Sequence, residues 1–487
     1  MKFHAIDLPN VKYTQPYSIY NKVLLLALTL IVLTSIPLYM NKNSTTSPLT
    51  SPTPSLTTKT SNATGLESIL PSPTPSPTIE INSTAGLESI LPPPTTETNS
   101  TAGLESILPS PTSSPTTETN STTGLESIEE KEEEQCQLFS GNWIPYPDGP
   151  AYYTNETCKW IIPQQNCMKF GRPDSEFMKW RWKPDGCELP LFDAAEFLEI
   201  FRGKSMAFIG DSVGRNQMQS LLCILGNVTY PEDISDQYSN NTDYFKHYVY
   251  TDYNFTMVTL WAPYLIRYSY ADPSVHSGDS LMNLYLDEPD EAWTSQVENF
   301  DYVIFSAGQW FLRPLIFYEN GGSIGCLWCK LDNMTKMSES YGYRKAFRTM
   351  FRTLQSLENY KGVTFLRTFS PAHFENGDWN AGGNCGRTKP FSKEEMKLEG
   401  YTLDMYTAQV EEFKAAQVQA KQKGLDFRLM ETTEAMLLRP DAHPNYYGGS
   451  HHRNTTTADC VHWCLPGPID TWNEILLHML KTRQNST

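Results

Sequence analysis

The chain has 487 residues, a formal net charge of −17 and 10 cysteines. Nucleic-acid binding needs a basic surface that neutralises phosphates, so this acidic composition argues against a nucleic-acid partner. The length is enough for one large domain with appended segments, or for two or three domains.

The first predicted element is a membrane anchor at residues 23–40, VLLLALTLIVLTSIPLYM, which contains no charged residue. An apolar run of this length is near the minimum that spans a bilayer. A cleaved signal peptide is the alternative, but no small-residue cleavage site follows the run closely. Lys2, Lys12 and Lys22 precede the run, so residues 1–22 are predicted to be a cytosolic tail. The remaining chain would then be lumenal.

The stem at residues 41–134 is predicted from its abundance of Ser, Thr and Pro and its near lack of aromatic residues. Within it the motif GLESI recurs, beginning at Gly65, Gly86, Gly103 and Gly124. A regular repeat could indicate a solenoid. Each repeat, however, has few apolar residues and several prolines, so it cannot bury a core and predicts an extended, O-glycosylated stalk. The acidic run at 129–134 is interpreted as a solvated spacer.

Cysteines and glycosylation sequons agree with a lumenal orientation. All 10 cysteines follow residue 135, and an oxidising lumen would let them form disulfides, whose pairing the sequence does not determine. Cys326 and Cys329 form a CxxC motif that could bind zinc, but no second CxxC completes such a site. N-glycosylation sequons begin at Asn43, Asn62, Asn82, Asn99, Asn120, Asn155, Asn227, Asn240, Asn254, Asn333, Asn454 and Asn485.

The folded region is predicted to begin near residue 135 and to have two parts. Residues 135–200 combine cysteines and tryptophans with little hydrophobic periodicity, which indicates a loop-rich segment held by disulfides. In residues 201–487 apolar strands alternate with helical stretches. The strands are predicted at 206–210, 301–308 and 362–370, and a long amphipathic helix at 393–423. This alternation predicts an α/β fold with a mainly parallel sheet.

Each predicted strand leads directly into unusual residues, and ligands of open parallel sheets bind at that end of the strands. These residues are Gly210, Asp211 and Ser212 after the first strand, Gly308 to Trp310 after the second, and Ser370 to His373 after the third. Ser212 could simply cap the helix that follows it, because serine and aspartate are preferred N-cap residues. Because unusual residues follow all three predicted strands, we favour the interpretation of Ser212 as a nucleophile.

A serine nucleophile needs a neighbouring base and a third group that orients the base. Asp459 and His462 lie three residues apart, so in a turn or at the start of a helix their side chains face the same way. Asp441 and His443 are the rival pair, and we favour Asp459 and His462 over them. A metal site is a further alternative, with the candidate ligands His443, His451, His452 and Asp459. No metal-ligand spacing stands out among them, so no metal is expected.

Acyl transfer also needs hydrogen-bond donors aimed at the oxyanion of the intermediate. The N-terminus of the helix that begins at Ser212 supplies backbone N–H groups and a positive dipole end. Arg215 and Asn216, one turn along, could add side-chain donors or form an ordinary solvated first turn, and Gln309 could also donate. Stacking on sugar rings and core packing are the two interpretations of Trp310, Trp379 and Trp463.

Several motifs together resemble the plant trichome birefringence-like family of polysaccharide O-acetyltransferases. The motifs are GDSVGRNQ, DCVHWCLPGP, RPDAHP, the GQW after a strand, and the entry segment CQLFSGNW with RWKPDGCELP. The resemblance covers about residues 135 to 482, and the pairing of GDS with DxxH in these flanks is highly specific. It implies a PC-esterase domain similar to the GDSL or SGNH esterases, an α/β/α sandwich, in a type II Golgi membrane protein.

The resemblance also implies roles for individual residues. Ser212 would be the nucleophile, His462 the base and Asp459 its orienting partner. Oxyanion or substrate-binding roles are implied for Gly210, Asp211, Arg215, Asn216, Gln309 and Trp310. Gln309 stands where esterase relatives usually carry an oxyanion asparagine, so the oxyanion hole would be composed differently.

The family pattern further implies four disulfides, with Cys326 and Cys329 as an extra pair. The four would form among Cys136, Cys158, Cys167, Cys187, Cys223, Cys385, Cys460 and Cys464. Bridges at Cys460 and Cys464 would hold His462 in place.

The implied activity moves an acetyl group through acetyl-Ser212 onto a polysaccharide hydroxyl. No bound cofactor is expected; the donor would be acetyl-CoA or another lumenal acetyl donor, provided by a Golgi supply protein. YGYRKAFRTMFRTL and GQWFLRPLIFYENG are most similar to the xyloglucan-acetylating branch, which implies xyloglucan side-chain galactose as acceptor. Xylan, mannan and pectin are alternative acceptors. An acetylesterase and a glycan-binding scaffold are alternative functions.

Overall fold

The structure is a computed structural model that describes residues 136–274, 280–448 and 457–484. The predicted tail, anchor and stem lie outside these residues. None of the helices described is long and apolar enough to cross a bilayer. The architecture is accordingly that of the region after the predicted stem.

The strands form three sheets, of which the largest has seven strands. In chain order they are β1 (Gln137–Pro145), β2 (Trp180–Asp185), β3 (Ser205–Gly210), β4 (Glu232–Asp233), β5 (Lys246–Tyr250), β6 (Phe255–Trp261), β7 (Ile266–Tyr270), β8 (Met282–Pro289), β9 (Tyr302–Ser306), β10 (Leu315–Glu319), β11 (Gly322–Leu327), β12 (Val363–Arg367) and β13 (Phe427–Met430). The large sheet has the order β13-β12-β9-β3-β6-β5-β4. Its strands from β13 to β6 are parallel, and β5 and β4 are antiparallel at one edge. The predicted α/β fold with a mainly parallel sheet is therefore confirmed.

Helices cover both faces of this sheet. They are α1 (Ala194–Ile200), α2 (Ser212–Leu225), α3 (Glu291–Thr294), α4 (Glu339–Ser356), α5 (Gly400–Gln422), α6 (Thr433–Leu437) and α7 (Asp470–Gln484). Met206 and Phe208 of β3 join the core formed with α2 and α7, whereas Ala207 and Ile209 join the core formed with α4 and α5. Successive side chains of a strand point to opposite faces, so β3 must be apolar throughout to bury both. The result is an α/β/α sandwich with β3 near its centre.

Two smaller sheets were not predicted from the sequence. One has the order β11-β10-β8-β7, and the other is the antiparallel pair β1 and β2. In β8, Met282, Leu284 and Leu286 are buried while the residues between them are partly exposed. Strands that bury only one face alternate between apolar and polar residues and lack the continuous apolar run by which the central strands were recognised.

The long helix was predicted to begin too early. The prediction started at residue 393, but residues 393–395 form a turn and α5 begins at Gly400. Gly400 has a φ of +57°, a left-handed conformation that does not occur inside a right-handed helix. The prediction for residues 393–399 was therefore wrong. The helix ends before Gly424, which has a φ of +74° and is where the predicted helix stops.

Disulfides attach the N-terminal segment to the sandwich. The five pairs are Cys136–Cys187, Cys158–Cys223, Cys167–Cys464, Cys385–Cys460 and Cys326–Cys329. The second pair links the segment to α2, and the third links it to the chain just before α7. The implied set of four bridges plus the CxxC pair is confirmed, and the zinc alternative for Cys326 and Cys329 is wrong because the two sulfurs are bonded to each other.

Two buried carboxyl groups at the start of α7 join the N-terminal segment to the helical layer. Asp470 Oδ1 accepts hydrogen bonds from Tyr153 at 2.6 Å and from Ser220 at 2.5 Å. Glu474 accepts from the Tyr152 hydroxyl. Burial raises the pKa of Asp470 to about 6 and that of Glu474 to about 7. The carboxylate form of Glu474 is therefore unfavourable in the folded protein.

We expect Glu474→Gln to weaken the pH dependence of stability. Because its pKa is raised to about 7, the folded protein binds the Glu474 proton more tightly than the unfolded chain does. The free energy of unfolding should therefore fall as the pH rises through the neutral range, and it should fall less in the variant. Urea unfolding at about pH 6 and about pH 8 measures the difference. Glu232→Gln, at an exposed site, is the control. An unchanged pH dependence in Glu474→Gln would contradict the interpretation.

Candidate active site

The turn that presents Ser212 begins at Gly210, the last residue of β3. Gly210 has a φ of +149°, and a Cβ at this position would lie 1.6 Å from the carbonyl oxygen of Ser306 on β9. Only glycine can lie this close to the neighbouring strand. The chain then turns through Asp211, and Ser212 is the first residue of α2.

Asp211 caps α2 and also holds the turn after β9. One carboxylate oxygen accepts from the Val213 N–H at 3.0 Å, and the other from the Gly308 N–H at 2.9 Å. Asp211 is 3% exposed. Burial raises its pKa, and the nearby charge of Arg367 partly offsets this change. The N-cap is therefore Asp211, and the Ser212 hydroxyl makes a different contact.

Ser212, His462 and Asp459 form a hydrogen-bonded chain. His462 Nε2 lies 2.7 Å from Ser212 Oγ, and His462 Nδ1 lies 2.8 Å from Asp459 Oδ2. Asp459 Oδ1 accepts from the backbone N–H groups of Val461 and His462. When Nδ1–H donates to the carboxylate, Nε2 is left to accept the serine proton. The arrangement can therefore activate Ser212 as a nucleophile.

The charges of His462 and Asp459 stabilise each other. Burial lowers the pKa of His462, but the charge and hydrogen bond of Asp459 outweigh it, so the net change is upward. Burial raises the pKa of Asp459, but the charge and hydrogen bonds of His462 hold it well below its usual range. The side chains of His462 and Asp459 are still 23% and 27% exposed, so solvent and substrate can reach them.

The loop that carries His462 is fastened to the core. Asn216 Oδ1 accepts from the Trp463 backbone N–H at 2.8 Å, and His443 Nδ1 lies 2.7 Å from the carbonyl oxygen of His462. Disulfides at Cys460 and Cys464 bracket the base. Asn216 is fully buried, and its side-chain oxygen holds the backbone of Trp463, the residue next to His462. These contacts to the backbone of His462 and Trp463 help to hold the His462 ring against Ser212.

His443 supports the loop and is too enclosed to act as the rival base. It is 1% exposed, and its Nε2 lies 2.8 Å from His373 Nδ1. Burial lowers the pKa of His443 well below its ordinary value. Asp441 pairs with Arg439 at 2.8 Å. His451 and His452 lie outside the described residues, and within the described part no group of three or more His, Cys, Asp or Glu side chains is placed to hold a metal ion.

The other predicted site residues lie around the turn. Gln309 Nε2 donates to the Ser370 carbonyl oxygen at 2.7 Å, so its amide is engaged by the backbone. Arg215 Nη1 donates to the Asp243 carbonyl oxygen at 3.1 Å. Trp310 packs edge to face with Trp261. Trp463 is 0% exposed and belongs to the core, whereas Trp379 is partly exposed.

Trp261 is the neighbour that the sequence reasoning missed. It is the last residue of β6 and pairs with Gly210 across the parallel register. Its ring centroid lies 5.4 Å from that of Trp310. The signal was present in FTMVTLW, a mostly apolar stretch that ends in tryptophan: had it been recognised as a strand, its carboxyl end would have been placed beside the other three.

Two family models together match residues 134–479 of the chain. The PC-Esterase model, described as a GDSL/SGNH-like acyl-esterase family found in Pmr5 and Cas1p, matches residues 189–479, and the PMR5 N-terminal domain matches residues 134–188. Protein trichome birefringence-like 19 of Arabidopsis thaliana is 51% identical over 355 residues, which cover 72% of this chain and 82% of that protein. Xyloglucan O-acetyltransferase 4 of Populus trichocarpa is 42% identical over 354 residues, with coverage of 72% and 82%. Xyloglucan O-acetyltransferase 2 of Arabidopsis thaliana is 40% identical over 351 residues, with coverage of 72% and 83%.

We expect Asp459→Asn to slow labelling of Ser212 by a fluorophosphonate and to shift its pH dependence. In the wild type, labelling should decline as the pH falls through the raised pKa of His462, because the protonated ring cannot accept the serine proton. Without the Asp459 charge, burial becomes the dominant influence and lowers the His462 pKa, so the decline should move to lower pH. The rate itself should fall by roughly 10³- to 10⁴-fold, because the ring loses its orienting partner.

Labelling rates measured across the pH range test this prediction. Asp404→Asn, on the exposed side of α5, is the matched control and should label like the wild type. An Asp459→Asn protein that keeps the wild-type inflection would show that Asp459 does not set the His462 pKa.

Proposed function

Because the chain belongs to the GDSL/SGNH-like acyl-esterase family, among its trichome birefringence-like members, we propose that its Ser212, His462 and Asp459 transfer acetyl groups onto a cell-wall polysaccharide. The enzyme class, an acetyltransferase, follows from the family match and the similar xyloglucan O-acetyltransferases. The observation that carries the proposal is the 2.7 Å contact between His462 Nε2 and Ser212 Oγ, with Asp459 bound to the other ring nitrogen.

The first half-reaction forms acetyl-Ser212. His462 Nε2 takes the hydroxyl proton while Ser212 Oγ attacks the acetyl carbonyl carbon of the donor. Negative charge develops on the carbonyl oxygen near the N-terminus of α2, where the helix dipole and backbone N–H groups stabilise it. The intermediate collapses by breaking the bond to the donor, and His462 returns its proton to the departing group.

The second half-reaction transfers the acetyl group to the acceptor. A sugar hydroxyl gives its proton to His462 Nε2 and attacks the acetyl carbon, and the bond to Ser212 Oγ then breaks. Ser212 recovers a proton from His462, and the product is an O-acetylated sugar. Water in place of the sugar would give an esterase. The choice between them therefore depends on what binds beside acetyl-Ser212.

Xyloglucan, with its side-chain galactose as the acetylated residue, is the acceptor we propose. The support is the identity of 40% and 42% to proteins named xyloglucan O-acetyltransferases. Xylan, mannan and pectin are the alternative acceptors, and an acetylesterase is the second candidate because the family model is described as acyl-esterase.

The donor and the compartment are also part of the proposal. Acetyl-CoA or another lumenal donor would enter as a co-substrate, with a Golgi protein supplying it, and no resident cofactor would be needed. Five disulfides fit an oxidising lumen. We place the folded region in the Golgi lumen, held by the predicted anchor at residues 23–40.

The test is acetyl transfer by the purified full chain to oligosaccharides of xyloglucan, xylan, mannan and pectin. With an acetyl donor present, mass spectrometry should show the gain of one or more acetyl groups on xyloglucan oligosaccharides. Ser212→Ala should lose this activity by about 10⁵-fold or more, because no acetyl-enzyme can form.

The remaining outcomes separate the alternatives. Ser295→Ala, at an exposed hydroxyl just after α3, is the matched control and should transfer like the wild type. A gain of acetyl groups on xylan, mannan or pectin oligosaccharides instead would show that the acceptor is that glycan and not xyloglucan. Loss of acetyl from pre-acetylated glycans with no gain on any acceptor would replace the transferase by an esterase.

A further inference from the structure

Three aromatic rings pack in a row near the carboxyl end of β3, the strand that leads to Ser212. We call Tyr244, Trp261 and Trp310 the aromatic ledge. The ring centroids of Tyr244 and Trp261 are 4.8 Å apart, and those of Trp261 and Trp310 are 5.4 Å apart. Tyr244 is 39% exposed, and the two tryptophans are partly exposed. The ledge is therefore open to solvent although its members pack against one another.

The register of the central sheet places the ledge beside the nucleophile. Trp261 ends β6 and pairs with Gly210 on one side of β3. Trp310 follows β9, whose Ser306 pairs with Gly210 on the other side. The two rings thus meet at the carboxyl end of β3, where the chain turns into α2 at Ser212.

Two arginines pack against the rings of the ledge. The Arg215 guanidinium carbon lies 5.9 Å from the ring centroids of both Tyr244 and Trp261, and that of Arg313 lies 3.9 Å from the Trp310 ring. Cation–π contacts of this kind favour a fixed ring position. A guanidinium has five N–H donors, so each arginine can also offer hydrogen bonds beside the rings it contacts.

We propose that the aromatic ledge binds a neutral pyranose ring of the acceptor, next to the sugar whose hydroxyl attacks acetyl-Ser212. The C–H face of a pyranose is apolar and its hydroxyls lie at the rim, which matches partly exposed aromatic rings with hydrogen-bond donors close by. This inference rests on the proposed function. It assigns the ledge to the second half-reaction, and the first half-reaction does not use it.

The two half-reactions can be measured separately in the purified full chain. Fluorophosphonate labelling reports the reactivity of Ser212 without an acceptor, and transfer to a xyloglucan oligosaccharide reports both. In Trp261→Ala and Trp310→Ala we expect the oligosaccharide KM to rise by about ten-fold or more. Labelling should change far less than transfer. Trp261→Phe, which keeps an aromatic ring, should recover part of the loss.

The control is Tyr230→Ala. Tyr230 is 50% exposed and follows the opposite end of α2 from Ser212, so its loss should leave both measurements unchanged. An equal fall in labelling and transfer in the Trp261 and Trp310 variants would overturn the proposal, because the rings would then only support the nucleophile. A raised KM for the acetyl donor with an unchanged acceptor KM would overturn it in favour of a donor site.

Binding measurements keep this test independent of the proposed activity. Titration calorimetry of Ser212→Ala with the same oligosaccharides should show binding. Adding Trp261→Ala to this variant should weaken the affinity by about ten-fold or more. If the wild type transfers no acetyl but this difference is seen, the proposed function fails and the ledge remains a glycan site. If Ser212→Ala binds none of the oligosaccharides, the ledge proposal is overturned.

Discussion

The active-site end of this fold depends on the buried carboxylate of Asp211. One oxygen caps the helix that begins with Ser212, and the other holds the Gly308 N–H of the adjacent turn. A buried charge is costly unless it is paired and hydrogen-bonded, and here Arg367 lies close enough to oppose the effect of burial on the Asp211 pKa. Asp211 thereby connects the turns that follow β3 and β9, and this connection fixes the backbone that carries the Ser212 hydroxyl.

His462, the proposed base, comes from the C-terminal part of the chain, and its placement against Ser212 has several independent causes. Asn216, one turn after the nucleophile, accepts from the backbone beside His462. His443 contacts the carbonyl oxygen of His462 from within the core. Disulfides on each side of the base restrict the same loop. A base held this way keeps its geometry without substrate, which is what preorganised catalysis requires.

Chemistry and specificity occupy different parts of this site. In the mechanism we propose, Ser212, His462 and Asp459 would acylate and deacylate with any hydroxyl, so they would not by themselves distinguish sugar from water. Specificity must come from surfaces beside them. Trp261 ends β6 and Trp310 follows β9, the two strands on either side of β3, so the sheet that positions Ser212 also arranges the surface where we expect the acceptor to lie.

The sequence by itself determined the α/β class, three of the parallel strands and the motif segments, because each is a local pattern: a buried parallel strand must be apolar, and a GDS or DxxH motif is contiguous. Only the tertiary structure decided the rest. Disulfide partners, the Asp211 bridge to Gly308 and the meeting of Trp261 with Trp310 join residues far apart in the chain, and no local signal encodes such a distance. The late start of α5 at Gly400 shows the same limit, because hydrophobic periodicity alone does not report a left-handed backbone.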